Sequence, residues 1–147
     1  MGAVAISTAD GQAMKQRAAY NPLALFAGKQ LVGQVDADYI ALPVLISLDA
    51  AKRGQAPASL CNTITQHLLI ACVIWTKLAN KPMYDRSVAA WNAMVKACAR
   101  PTDLLDLTTG EYQAIRTALS YYLRALPKVE VGTLSYAFTT ALATLND

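Results

Sequence analysis

From about residue 36 onward the apolar positions recur at alternating steps of three and four, the spacing of one face of an α-helix. The breaks in that rhythm fall at glycine, proline and capping residues, so five helical segments are predicted. The first opens at Asp36, whose side chain suits an N-terminal cap. It runs through Tyr39, Leu42, Leu45, Ile46 and Leu48 and closes at Lys52-Arg53-Gly54. Pro43 lies inside it, deleting one backbone donor and crowding the preceding turn, so the pattern predicts a kink there or a true start near Leu42. Either version turns Leu45 and Leu48 inward. The second helix follows Pro57 and Ser59 and lasts to Asn80-Lys81-Pro82, with Leu60, Ile64, His67/Leu68, Ala71, Trp75 and Leu78 as its inner stripe. Leu69, Ile70, Val73 and Ile74 spread apolar surface further round, which predicts a helix enclosed on most sides.

The third helix opens at Pro82 or Tyr84 and stops at Arg100, because the proline at 101 disfavours helix in the residue before it. Tyr84, Val88, Trp91, Val95 and Cys98 form its stripe, and Trp75 and Trp91 are expected to face one core from neighbouring antiparallel helices. The fourth is announced by Thr108 and Glu111, spaced as a capping box. It continues through Tyr112, Ile115, Leu119, Tyr122 and Leu126 until Pro127. The last, from Thr133 to Leu145, aligns Leu134, Phe138, Ala141, Leu142 and Leu145. "KVEVG" is too short to build a sheet and reads as a loop. The expected fold is an all-α, single-domain bundle of four to five mostly antiparallel helices with short connections. Residues 1–35 read as a mobile N-terminal arm ending in an apolar clip at Leu23, Leu25 and Phe26, and residues 36–147 as the bundle.

Composition changes this picture in one respect. The apolar fraction is 54% and the charged fraction 16%, so much of the surface has to be uncharged or covered, which points to self-association or a protein partner. The net charge of +3 is too small for a protein that coats nucleic acid. The apolar run from Leu68 to Trp75 is far shorter than the roughly 20 residues that span a bilayer, so no membrane is expected as a partner. Cys61, Cys72 and Cys98 are odd in number and lack metal-ligand spacing, which predicts buried apolar thiols rather than a disulfide framework. The opening "MGAVAISTADG" has neither the charged start and apolar centre of a signal peptide nor a myristoylation pattern, so the cytoplasm is the expected location.

The candidate chemistry is thin. His67 is the sole imidazole and lies on the inner stripe of the second helix, so it reads as a core residue whose ring bonds a backbone carbonyl or a tyrosine hydroxyl. Asp103, Asp106 and Glu111 gather where acidic side chains complement the positive end of a helix dipole. No phosphate-binding glycine loop, EF-hand or paired-histidine motif occurs, so no cofactor, metal or catalytic residue is assigned and a non-enzyme is expected. Two features remain as partner-binding candidates. One is the positive balance of Lys77, Lys81, Arg86, Lys96 and Arg100 against Asp85; the other is Tyr121, which falls off the fourth helix's stripe and has the amphipathic face of an interface anchor.

"LPVLISLDAAKRG" and "LTTGEYQAIRTAL" together resemble a loose group of small all-helical proteins of proteobacterial genomes and their mobile elements, some labelled transcriptional regulators. The resemblance implies a helical fold and no site residue, and "GTLSYAFTTALATLND" lacks the basic residues of a DNA-reading helix. The expected function is a non-enzymatic helical protein–protein interaction module, in the manner of a phage- or plasmid-borne regulator or inhibitor. The alternative is a nucleic-acid-binding accessory that uses the Lys77–Arg100 segment.

Overall fold

The computed structural model describes residues 27–146. The expected apolar clip at Leu23, Leu25 and Phe26 lies outside them. Among the described residues the chain is all-α, with helices α1 (Gly33–Lys52), α2 (Ala58–Lys77), α3 (Lys81–Cys98), α4 (Thr109–Ala125) and α5 (Val131–Asn146) and a single 3-10 turn at Leu126–Lys128. The "KVEVG" segment forms no strand; one isolated bridge joins Leu31 to Glu130. Its backbone bonds, Val32 N–H to Val129 O at 2.9 Å and Val131 N–H to Gln30 O at 2.7 Å, tie the entry of α1 to the entry of α5. There Gly132 backs onto Gly28 so closely that a Cβ on it would lie 3.0 Å from the Gly28 carbonyl oxygen.

The helix ends follow local chemistry. Thr108 caps α4 through the Glu111 N–H while the Glu111 carboxylate accepts from the Thr108 N–H, the reciprocal pair that the sequence announces. The Asn80 side chain accepts from the Met83 N–H at the start of α3. Gly54 has φ +69° at the end of α1, where a left-handed residue lets the last carbonyls be satisfied. Ala79 adopts the same hand, φ 53°, after α2. The start of α1 differs from expectation: the helix begins at Gly33, and Asp36 sits in its first turn without capping it. Nor does Pro43 interrupt it. Proline is exposed there, so the carbonyl that it leaves without a donor faces solvent, and the helix continues unbroken to Lys52.

Helix α2 is the centre, touching α1, α3, α4 and α5, while α3 lies between α2 and α4. Ile64, His67, Leu68, Ile70, Ala71, Ile74 and Trp75 are buried along it, as a helix enclosed on most sides requires. Trp75 is only 6% exposed. By length and a mean hydropathy of 1.4 it is also the one helix among the described residues apolar enough to cross a membrane. Helix α4 buries Ile115, Ala118, Leu119 and Tyr122, matching its expected stripe, and Leu126 is fully buried just beyond it.

Four helices depart from expectation. In α3 the buried residues are Ser87, Ala90, Met94 and Ala97, one step round from the expected stripe. Val95 and Cys98 are exposed and Trp91 is half-buried against the core. In α1 the buried set is Ala37, Val44, Ser47, Leu48, Ala50 and Ala51, so Leu48 is inside as expected but Leu45 is not. Leu78 at the end of α2, and Leu142 and Leu145 at the end of α5, are exposed as well. The cause for α1 and α3 is volume. Because α2 carries large side chains round its middle, neighbours reach close-packed density by presenting small ones, and helix axes approach as side chains at the contact shrink.

Candidate interaction surface

The outward side of α1 is where the sequence and the fold part company most. Val35, Tyr39, Leu42 and Ile46 recur at steps of four, three and four, and Leu45 flanks them. Their exposures are 70%, 76%, 58%, 53% and 52% respectively. At 100° per residue this stripe lies on the side of the helix opposite Ala37, Val44, Leu48 and Ala51. A surface helix normally pairs an apolar core face with a polar solvent face, whereas α1 is apolar on both. Its polar residues sit between and beyond the two faces: Gln34 donates to Asp38 at 2.7 Å, and Arg53 pairs with Asp49 at 2.7 Å at the far end.

The basic residues singled out from the sequence do not converge. Lys77 stacks over the Tyr136 ring of α5, 4.3 Å from its centre. Lys81 pairs with Asp85 on its own helix at 3.1 Å. Arg86 and Arg124 flank the Tyr121 ring at 5.5 and 5.6 Å, so Tyr121 joins α3 to α4 while remaining partly exposed. Arg100 grips Glu111 bidentately at 2.6 and 2.7 Å and also donates to the Asp106 carbonyl at 2.6 Å, fastening the loop between α3 and α4. That grip and the Thr108 N–H hold the Glu111 carboxyl down at about 2. Lys96 is exposed on the outer side of α3. The sequence offered no signal for the Arg100–Glu111 pair, because the partners come together only when the loop between them folds.

His67 meets the tyrosine hydroxyl that its position on the inner stripe anticipates. Its Nδ1 and the Tyr122 hydroxyl are joined by a 2.8 Å hydrogen bond whose donor is set by the imidazole tautomer, and the Phe138 ring meets it edge-on with centres 5.9 Å apart. Burial lowers the His67 pKa to about 4 and pushes the Tyr122 hydroxyl up, so both groups are neutral near pH 7. A neutral imidazole locked to a buried phenol has no nucleophile or carboxylate beside it in these contacts, and the arrangement serves as a hydrogen-bonded core pair between α2 and α4.

The thiols are placed in a way their spacing hides. Cys61 near the start of α2 and Cys98 at the end of α3 line the same cleft of about 270 Å³, with Asn62, Arg100, Asp103 and Leu104 around them. The Cys61 Sγ donates weakly to the Ala56 carbonyl at 3.8 Å, and burial raises its pKa. Cys72, deeper on α2, is pushed up to about 11 by burial. No group of three or more histidine, cysteine or acidic side chains converges as a metal site among the described residues. Comparison of the chain with family models, with curated proteins and with solved structures finds no match.

Proposed function

We propose that this protein is a non-enzymatic helical protein–protein interaction module that docks through the outward face of α1. The observation that carries the reading is the stripe Val35, Tyr39, Leu42 and Ile46, with Leu45 beside it, each more than half exposed on a helix whose other side is already packed. Leaving such side chains in water forgoes about 1.5–3 kcal/mol apiece, which an interface would recover. The low charged fraction and the resemblance of "LPVLISLDAAKRG" and "LTTGEYQAIRTAL" to helical mobile-element proteins are consistent with a regulator or inhibitor of this kind. The nucleic-acid alternative has less support, since Lys77, Lys81, Arg86 and Arg100 are engaged with four different sets of protein groups.

The test is cross-linking and mass spectrometry of complexes that the full chain forms in extracts of its host. Cross-links are expected to cluster at Lys29 and Lys52, which bracket the stripe. Complexes whose links fall instead round Lys77, Lys96 and Lys128 would refute the assignment of α1 as the docking face.

A further inference from the structure

We infer that the occupant of the α1 face is the α1 helix of a second copy of this chain, paired antiparallel about a two-fold axis with Leu42 of each copy opposite Ile46 of the other. This rests on the reading of α1 as the docking face and names its partner. Three properties of the helix converge on it.

The first is spacing. Steps of four, three and four average about 3.7 residues, close to the 3.6 of one helical turn, so the four side chains stay within about 60° of one another and form a nearly straight seam along the helix. Val35 to Ile46 covers about 16 Å of helix axis at 1.5 Å per residue. The face is therefore a ridge suited to another ridge-and-groove helix surface rather than a pocket for a small molecule.

The second is charge. Asp36 and Asp38 sit in the first half of α1, and Lys52 and Arg53 close it. Parallel pairing would set the aspartates of two copies side by side and align their helix dipoles. Antiparallel pairing reverses both relations, bringing acidic ends to basic ends and opposing the dipoles. A two-fold axis perpendicular to the helices puts the same flank of each copy next to itself with direction reversed. Asp38 and Lys52 lie on one such flank, so with Leu42 opposite Ile46 each Asp38 comes within a lysine's reach of Lys52 in the other copy, at both ends of the seam. Tyr39 then lies opposite Asp49, whose carboxylate can accept from the phenol. Lysine and arginine heads flanked by aspartates also make the face a poor fit for an acidic membrane surface.

The third is area. Five large side chains, each more than half exposed, present roughly 600 Å² of apolar surface, at the top of the range for the largest patch on a monomer. That approaches the ~800 Å² per partner of a standard interface, so the dimer should be reversible rather than obligate.

Sedimentation equilibrium of the full chain over micromolar concentrations tests it. A reversible dimer is expected, and Leu42→Asp should weaken it by about thirty-fold or more, the loss typical of a central hot spot, while leaving the melting temperature of the dilute, monomeric chain unchanged. Asp38→Lys and Lys52→Asp, both at exposed positions where folding is undisturbed, should each weaken the dimer, and the double variant should restore it. A wild-type chain that stays monomeric throughout, a dimer indifferent to Leu42→Asp, or a double swap no better than either single swap would overturn the pairing. A monomer whose host complexes still cross-link at Lys29 and Lys52 would sink the second-copy inference alone, whereas host complexes linked elsewhere would sink the docking face itself.

Discussion

Helices α4 and α1 read almost alike in sequence, each with large apolar side chains at three-four spacing, and they fold to opposite effect. In α4 the large stripe is inside: Ile115, Leu119 and Tyr122 are buried, and Arg116 and Arg124 face water. In α1 the large stripe is outside and the buried face is built from alanine, serine, one valine and one leucine. Helix α3 is a milder case, with Ser87, Ala90 and Ala97 inside and Val95 outside. Hydrophobic spacing therefore tells that a helix is there, but the size of the space beside α2 decides which of two apolar faces goes in. The face left over becomes available for association.

The contrast is broken most directly by truncating matched leucines. Leu119→Ala in α4 should cost about 2–5 kcal/mol, as loss of a buried leucine leaves a cavity. Leu42→Ala in α1 should stay within about 0.5 kcal/mol under dilute, monomeric conditions. Chemical denaturation of both variants checks this, and equal losses would mean that the α1 stripe is covered within one chain.

The second prediction concerns the His67–Tyr122 pair, which α1 has no counterpart to. The His67 pKa is about 4 in the folded chain against about 6.5 unfolded, so below pH 6.5 the unfolded state takes up a proton that the folded state refuses. Stability is intact above pH 6.5 and should fall by roughly 3 kcal/mol as pH drops to 4. Glu111 acts lower: with its carboxyl held at about 2, its contribution is present above the ordinary pKa of about 4.5 and is lost only between there and 2. Melting curves from pH 7.5 to 4.5 therefore isolate the histidine, and His67→Gln should flatten them.

Enlarging the small faces comes next. Ala90→Leu in α3 should destabilise by about 1–3 kcal/mol through overpacking, where the same change on an outward face is silent. The smallest effect has the opposite sign. The Ser87 hydroxyl is buried without a hydrogen-bond partner among the described residues, so Ser87→Ala should be neutral or stabilising by up to about 1 kcal/mol, measured as a raised denaturation midpoint.

Much of this was legible beforehand. Thr108 with Glu111 and the proline at 127 mark α4 within a residue or two, and the dense apolar run of α2 marks the centre, because caps and burial patterns are local. The Tyr122 hydroxyl is one of the two partners, a backbone carbonyl being the other, that the place of His67 on that stripe allowed. The outward turn of Leu45 and Val95 was not legible, since weighing apolar residues by size favours the wrong face when a crowded neighbour rewards small ones. Nor were the Arg100–Glu111 clamp and the shared cleft of Cys61 and Cys98, which join groups that only the path of the α3–α4 loop and the α2–α3 hairpin brings together. Of the candidate site, Tyr39, Leu42, Leu45 and Ile46 were in plain view as residues of the first helix, but Leu45 was expected to face inward and Val35 fell in the N-terminal arm.

The most direct test is hydroxyl-radical footprinting of Tyr39 on the full chain, from dilute to concentrated protein, with the half-exposed Tyr136 of α5 as internal reference. Oxidation of Tyr39 should match or exceed that of Tyr136 when dilute and fall steeply as the chain concentrates, while Tyr136 stays constant. A Tyr39 that reacts equally at every concentration, or is already protected at the lowest, would contradict the outward face of α1 as the surface through which this protein associates.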